Sequence, residues 1–432
     1  MLRMQAYKFE LMENGEQRRL MRQFSGCRRR AYNDALGINT LRHENKEKRL
    51  NWVDLGNLLP EWKKENPFFS DAPSQALQQA FKDLEFAYQR FFAQVKLGYR
   101  VAPRDKKLRK VLRKRGIPLA YPPTFKKKGQ HDSFRYPQGF KLDNVNGRIS
   151  LPKLGWLRYR KSQDVLGTAK NVTVSESCGK WFVSIQTERE VETPIHLSTS
   201  DVAIDMGVAV FATLSVGKPS LLPDTKRLEE RKKIQQRRLK NKTKFSQNWK
   251  KLQARIKKID HQISKIRENH RHQFTHTITK NHGVVYGDDL NIKNMSKSAK
   301  GTVETPGKNV KQKSGLNRSI LAQGIGEVNR QLKYKSEWRG GHFIPCPPAY
   351  GSQRCPCCGH ISRENRKTQA EFVCVDCGFA GNADFVATLN KLEAGRAFIA
   401  CGEFPSWTRF GASRKDSVKQ EPTEDIQVQQ CA

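Results

Sequence analysis

Four cysteines form two close pairs in the C-terminal part of the chain. Cys355 and Cys358 are followed by Cys374 and Cys377, which gives the pattern C-x2-C-x15-C-x2-C. Each pair can turn two sulfurs toward one ion, and this spacing is typical of a structural zinc site with four thiolate ligands. Two disulfides are the alternative, but the remaining cysteines are scattered, as in a protein of a reducing compartment. The pattern therefore predicts a zinc ribbon.

Three aspartates from separated segments are candidate ligands for a different metal. Asp205 and Asp288 each follow an apolar, strand-like run, and Asp384 follows the cysteine pattern at the start of a predicted helix. Mg²⁺ prefers such oxygen ligands, and two ions about 3.5–4 Å apart can stabilise the attacking and leaving oxygens of a phosphodiester displacement. An ordinary hairpin turn is the alternative for Asp205, because Asp-x-Gly is common in turns. This spacing allows the three acids to meet at one site in the fold, but it does not prove that they do.

The charge of the chain points to a polyanionic partner. Lys and Arg number 80 against 42 acidic residues, a formal net charge of +38. Such an excess favours nucleic acid, because each neutralised phosphate releases a counterion. A membrane is disfavoured, since the chain contains no run of about 18 or more apolar residues. The N-terminal segment lacks the apolar core of a signal peptide, so we expect a cytoplasmic protein.

The first part of the chain predicts two domains. Residues 15–119 indicate a helical domain followed by a basic linker, because apolar residues recur at helical spacing. The Phe-rich stripe between Leu77 and Val95 is expected to be core between helices. Residues 1–14 and 120–195 contain short strand-like segments separated by Gly and Asn turns, which predict a small β-barrel completed by the first strand.

The second part predicts an RNase H-like fold over residues 200–345 and 380–400. In such a fold a central strand ends in an acid and a hairpin turns back, as the sequence suggests around Asp205. The whole chain is therefore expected to be a multidomain α+β protein.

Three segments extend or interrupt this predicted fold. Residues 226–280 should form long basic helices, because their apolar positions from Trp249 to Ile266 step by three and four like a heptad seam. The zinc ribbon is expected at 346–379. The polar tail at 404–432 is expected to be disordered.

Basic residues in three segments are candidates for nucleic-acid contacts. They lie on the first predicted helix, in a Lys-rich turn and on the long basic segment: Arg28, Arg29, Lys126, Lys127, Lys128, Lys250 and Arg255. A solvated charged face is the usual alternative for such residues.

These motifs together resemble the TnpB proteins of bacterial insertion sequences, compact relatives of type V CRISPR nucleases. The similarity is carried by residues 203–207, 289–295 and 352–384, where the cysteine pattern is followed by Asn-Ala-Asp. It implies an RNA-guided DNA endonuclease of the bacterial cytoplasm, associated with the nucleoid. A helical recognition domain and a β-barrel wedge domain would hold guide RNA and read a short motif on double-stranded DNA, while base pairing supplies most of the sequence recognition.

The resemblance also implies a RuvC domain with a zinc ribbon inserted in it. This domain would cut DNA with Mg²⁺ held by three acids, at the positions of Asp205, Asp288 and Asp384 in this chain.

One of these acids departs from the pattern of the family. TnpB proteins usually have Glu where this chain has Asp288, and Asp is shorter by one C–C bond, about 1.5 Å. A misplacement of that size can slow a reaction on the order of 10²-fold. Asp289 is expected to point away, because successive residues of a strand face opposite sides. Ile325 and Val328 also stand where the family more often has Trp and Phe.

Two further interpretations stay open, the first because of these departures and the second because the charge and the cysteine pattern alone would fit it. One is an RNA-guided DNA-binding protein with impaired or lost cleavage, which would act as a transcriptional repressor. The other is a basic zinc-ribbon protein that binds RNA and has no DNA target.

Overall fold

The computed structural model describes residues 1–103, 105–301, 305–346, 352–366, 368 and 370–400, so the tail predicted at 404–432 lies outside the described residues. The chain divides into two compact units, Met1–Glu192 and Thr193–Ala432. Both contain helices and strands, which makes this a multidomain α+β protein. Among the described residues no helix combines the length and the apolar character needed to cross a bilayer.

The first unit contains six helices and nine strands in its described residues. The helices are Gly15–Glu44 (α1), Trp52–Asn57 (α2), Leu59–Glu65 (α3), Phe68–Asp71 (α4), Ser74–Lys96 (α5) and Lys106–Lys114 (α6). The strands are Leu2–Met12 (β1), Arg100–Val101 (β2), Leu119–Ala120 (β3), Ser133–Tyr136 (β4), Lys141–Asp143 (β5), Arg148–Leu151 (β6), Gly155–Tyr159 (β7), Thr168–Ser177 (β8) and Lys180–Glu190 (β9).

Seven of these strands form one antiparallel sheet with the order β4-β8-β9-β1-β7-β6-β5. The predicted first strand does join the sheet, in its centre. The hydrogen-bonded order ends at β4 and β5, and β1 pairs with β9 along most of its length and with β7 at its C-terminal end. Small barrels can be partly open in this way, so the predicted barrel stays a prediction. Helices pack on this sheet: Phe24 of α1 packs edge-on against Phe134 of β4, with ring centroids 5.7 Å apart.

Helices α1 and α5 share this hydrophobic core with the sheet. The predicted stripe of α5 is confirmed for Leu77, Phe81 and Leu84, which are buried. It is wrong for the last two turns, where Phe92 is 51% exposed. Phe92 stacks on Tyr88 at the surface, with ring centroids 6.1 Å apart.

The second unit contains six helices and six strands in its described residues. The helices are Lys226–Lys240 (α7), Gln247–Asn281 (α8), Ile292–Met295 (α9), Val310–Gln323 (α10), Ile325–Trp338 (α11) and Ala383–Ala400 (α12). The strands are Asp201–Asp205 (β10), Thr213–Leu214 (β11), Val284–Asp288 (β12), His342–Cys346 (β13), Glu371–Val373 (β14) and Ala380–Asn382 (β15).

A four-stranded sheet with the order β11-β10-β12-β13 forms the centre of this unit. Strands β10, β12 and β13 run parallel, and β11 turns back antiparallel to β10. Alternate residues serve the two faces: Val202 and Ile204 pack in a cluster with residues of α11, whereas Ala203 and Tyr286 pack with residues of α12. The carboxyl ends of β10 and β12 therefore meet at one edge of a sheet buried on both sides.

The long basic segment forms two helices that pack on each other, α7 and α8. The predicted seam is confirmed at Ile256, Ile259 and Ile263, which are buried. It is wrong at its last position, where Ile266 is 38% exposed. Ion pairs tie the two helices, among them Arg267 to Glu229 at 2.6 Å.

Candidate metal centres

The four predicted cysteine ligands lie together. The Sγ atoms of Cys355 and Cys377 are 3.5 Å apart, those of Cys358 and Cys374 are 3.6 Å apart, and all four lie within 4.8 Å of one another. In a tetrahedral site with Zn–S bonds of about 2.3 Å, sulfurs are about 3.8 Å apart. Both the donor set and its spacing suit one metal ion.

Two tight turns bring these sulfurs together. The backbone N–H of Gly378 donates to the carbonyl of Cys374 at 3.1 Å, and Gly359 makes the equivalent bond to Cys355 at 3.0 Å. Both glycines have a positive φ, of 74° and 77°, which residues with a Cβ rarely adopt. Hydrogen bonds from the backbone, that of Cys377 foremost, lower the pKa of the Cys374 thiol.

Asp205 and Asp288 lie beside each other at the carboxyl edge of the central sheet, because each is the last residue of its parallel strand. Asp288 is buried, with 5% of its surface exposed, and Asp205 is half-buried. Burial raises the pKa of Asp288; Lys391 opposes this effect and the charge of Asp205 reinforces it. A buried carboxylate needs a cationic partner, and both acids share one.

That shared partner is Lys391, which the sequence analysis did not single out. Its ammonium lies 2.9 Å from Oδ1 of Asp205 and 2.5 Å from Oδ1 of Asp288. Its position in the sequence relative to Asp384 could have identified it. Lys391 follows Asp384 by seven residues, about two helical turns, so both lie on the same face of α12.

Asp384 approaches the pair from the first turn of α12. The side chain of Asn382 caps this helix by accepting from the backbone N–H groups of Asp384 and Phe385 at 3.0 and 3.2 Å. Burial raises the pKa of Asp384, the charge of Asp205 raises it further, and Arg366, 3.8 Å away, lowers it. The Asn-Ala-Asp sequence thus starts a helix and places an acid near Asp205.

The three acids are less tightly gathered than the sulfurs. Among the described residues, the four cysteines have ligand atoms that all lie within 4.8 Å of one another, and the three aspartates do not meet this condition. Asp205 and Asp288 share a cation, and Asp384 interacts with them through charge. The oxygen donors suit Mg²⁺ in type, but an ammonium lies between two of them.

The structure also places the residues next to Asp288 and the two other positions that differ from the TnpB pattern. Asp289 is exposed while Asp288 is buried, so Asp289 faces away from the pair as predicted. Ile325 and Val328 are buried in the core beneath the central sheet. Asn329, one residue after Val328, donates to the backbone carbonyl of Asp288 at 2.9 Å.

The predicted nucleic-acid contacts of the first unit have three different environments. Arg28 pairs with Asp83, and Arg29 lies 3.2 Å from Asp132, so both guanidinium groups already have acidic partners. Lys126 lies 3.7 Å from the centroid of a tyrosine ring, and burial lowers its pKa to about 8. Lys127 and Lys128 are exposed, and their predicted role remains a prediction.

The predicted contacts on α8 are exposed. Lys250 lies on the surface of this helix, and Arg255 lines a groove of about 400 Å³ between α7 and α8, together with Arg238, Lys242 and Lys251. Four positive side chains around one groove suit a phosphate backbone.

Family models match three parts of the chain. Residues 184–299 match OrfB_IS605, described as "Probable transposase", and residues 326–391 match "Cas12f1-like, TNB domain". Residues 1–48 match "Helix-turn-helix domain" of the same OrfB_IS605 group. In this structure that last range is strand β1 followed by the single long helix α1.

Two relatives match nearly the whole chain. A protein of Escherichia coli (strain K12) named "Putative RNA-guided DNA endonuclease InsQ" is 48% identical over 432 residues, which cover 99% of this chain and 100% of the relative. A protein of Streptomyces pristinaespiralis named "Putative RNA-guided DNA endonuclease" is 28% identical and covers 96% of both chains.

Solved structures give a weaker likeness. One titled "Cryo-EM structure of CasPhi-2 (Cas12j) bound to crRNA" covers 90% of this chain and 98% of its own, at 13% identity and a TM-score of 0.42. A score this low does not establish a shared fold.

Proposed function

The chain belongs to the OrfB_IS605 family, the TnpB proteins of insertion sequences, and we propose that it is an RNA-guided DNA endonuclease. The observation that carries this proposal is the 48% identity over the full length of the Escherichia coli relative, whose printed name gives that activity. The second relative, from Streptomyces pristinaespiralis, carries the same description over 96% of both chains.

The acids at the edge of the central sheet support the nuclease part of this proposal. Asp205, Asp288 and Asp384 would hold Mg²⁺, which supplies charge stabilisation to the attacking and leaving oxygens of the phosphodiester. The charge of Asp205 raises the pKa of both Asp288 and Asp384. Asp205 would be the acid shared between the two ions.

The four cysteines would hold Zn²⁺ in a structural site. Four thiolates within 4.8 Å leave no open ligand position on a tetrahedral ion. A closed site of this kind organises the chain around it and takes no part in the chemical step.

The domain assignment of this proposal follows the TnpB pattern. Residues 200–345 and 380–400 are a RuvC-like domain with the ribbon at 346–379 inserted. Residues 15–119 are the recognition domain, and 1–14 with 120–195 are the wedge. The parallel strands that end in Asp205 and Asp288 support the first assignment, and the antiparallel sheet around β1 supports the last.

Guide RNA and double-stranded DNA are the proposed partners. The formal net charge of +38 supports binding to long polyanions. The exposed lysines at 127 and 128 and the basic groove between α7 and α8 are the proposed contact surfaces. Proteins that act on bacterial DNA work in the cytoplasm, which is the proposed location.

Cleavage of a matched plasmid tests this function. The full-length protein is purified with its RNA, the RNA is sequenced, and plasmids carrying a matched or a scrambled target are incubated with the complex in Mg²⁺. The proposal predicts cutting of the matched plasmid alone.

Other outcomes identify other functions. Specific binding to the matched plasmid without cutting would contradict the nuclease activity and identify an RNA-guided DNA-binding protein. A chain that purifies without a defined RNA and binds neither plasmid selectively would contradict RNA guidance itself.

A further inference from the structure

The ammonium of Lys391 is surrounded by oxygens in the way a bound cation would be. Besides its ion pairs with Asp205 and Asp288, it donates to the backbone carbonyl of Ile204 at 2.9 Å. The Lys391 side chain is 7% exposed. A buried ammonium with three oxygen neighbours is fully engaged, since it has three N–H donors.

The packing of α12 fixes this side chain in place. The helix lies against β10 and β12, and Gly395 permits the close approach, because a Cβ there would lie 2.2 Å from the ring of Tyr286. One residue before the lysine, Asn390 donates to the backbone carbonyl of Arg354 at 2.7 Å. These contacts lie on both sides of Lys391, so its backbone is anchored beside the carboxylates.

A divalent ion and this ammonium compete for the same oxygens. Mg²⁺ prefers carboxylate oxygens, and the Nζ atom already lies against Oδ1 of both Asp205 and Asp288. A divalent ion that took these two oxygens would bind beside a positive charge. Two cations so close in a buried site repel each other strongly. The carboxylates, in turn, are already neutralised in part without any metal.

We propose that Lys391 is a built-in cation that holds the place of a divalent ion between Asp205 and Asp288, so that a metal binds there only by displacing it. This inference deepens the proposed function and rests on it, because it treats the two acids as metal ligands. It follows that the acid pair stays packed without metal and that its divalent affinity is low for a site with buried carboxylates.

Mn²⁺ binding to the free protein tests this inference. The full-length chain, with its cysteine site loaded with zinc, is titrated with Mn²⁺, and free Mn²⁺ is followed by electron paramagnetic resonance. Lys391→Met removes the charge and keeps an unbranched apolar side chain. We expect this variant to bind Mn²⁺ about tenfold more tightly than the native chain, or better, because the competing charge is gone.

Thermal unfolding provides a second measurement. Removing one partner of a buried ion pair leaves the other charges uncompensated, so Lys391→Met should unfold at a lower temperature without metal. Mn²⁺ should raise its Tm and leave the Tm of the native chain nearly unchanged. The double variant Lys391→Met with Asp205→Asn should lose the added Mn²⁺ affinity, which locates the ion at the acid pair.

Each outcome decides for or against the inference. Equal Mn²⁺ affinity in the native chain and Lys391→Met would overturn it, and so would undetectable binding to both. If Lys391→Met and Lys391→Gln fold only when Mn²⁺ is present, the inference is supported; if Mn²⁺ does not rescue their folding, it is overturned. The titration uses no RNA or DNA target, so its failure is distinguishable from a failure of guided cleavage.

Discussion

The cysteine cluster and the acid pair are two candidate metal centres of one structural unit, and the chain assembles them in different ways. The four sulfurs come from two turns of one short segment, and all lie within 4.8 Å of one another. The acids come from two strands and a helix that are far apart in the sequence, and a lysine lies between two of them. A local site is complete when its own turns form, whereas a site at a sheet edge depends on everything packed around that edge.

The first prediction tests the local site and carries the largest expected effect. Cys374→Ser removes one thiolate, and structural zinc contributes on the order of 10 kcal/mol or more to folding of such sites. We expect the variant to lose its zinc and the small core around Phe372 and Val386 to unfold. Zinc content by atomic absorption and the rate of proteolysis within 352–382 measure this.

Cys357 provides the matched control. It is an exposed cysteine inside the first turn and does not belong to the cluster. Cys357→Ser should keep the full zinc content, and a loss of zinc there would show that the ligand set is different from the one described here.

The second prediction tests the sheet edge. Asp288→Asn removes a proposed metal ligand and should lower guided DNA cleavage on the order of 10³-fold, because metal-bound charge stabilises the transition state by several kcal/mol. Asp289→Asn is the control, since Asp289 is exposed. Equal losses in both variants would show that the buried position of Asp288 has no special role.

The third prediction concerns the length of this ligand. Asp288→Glu extends the carboxyl group by about 1.5 Å, toward the length that TnpB proteins usually have. Cleavage rates measured on the same matched plasmid should rise, by up to about 10²-fold. An unchanged or lower rate would mean that the shorter side chain is already placed correctly by β12.

The fourth prediction has the smallest expected effect and links the two regions. Arg366, in the ribbon segment, lowers the pKa of Asp384. A carboxyl group must lose its proton to bind metal, so cleavage should fall as the pH drops through this pKa. Arg366→Gln raises the pKa and should move that loss to higher pH.

At a given pH, Arg366→Gln should change the cleavage rate severalfold at most. The side chains of Arg366 and Asp384 are about a third exposed, and exposed ion pairs contribute about 1 kcal/mol or less. Profiles of cleavage against pH measure it. Arg363→Gln, at an exposed arginine of the same turn, should leave the profile in place, and an identical shift in both variants would point to a general charge effect.

The sequence was sufficient where the structure is local or periodic. Cysteine spacing predicted the cluster, and steps of three and four along α8 predicted its buried seam at Ile256 and Ile259. Apolar runs before Asp205 and Asp288 predicted strands that end in acids, and both are the last residues of their strands.

What the sequence did not predict depends on long-range packing. The end of α5 exposes Phe92 where a buried stripe was predicted, and the end of the α8 seam exposes Ile266. The seven-residue spacing from Asp384 was the only local signal for Lys391, and it is a weak one, because a lysine on a helix usually faces solvent. Its place between two carboxylates arises only when α12 packs against β10 and β12.

Cleavage of the matched plasmid in Mg²⁺ by the native complex and by its Asp205→Ala variant shows whether the sheet edge is the nuclease site. Asp205 contacts Lys391 and interacts electrostatically with both other acids, so its loss should abolish cutting while RNA and target binding persist. Cutting that continues in the Asp205→Ala complex would contradict the assignment of the sheet edge as the nuclease site.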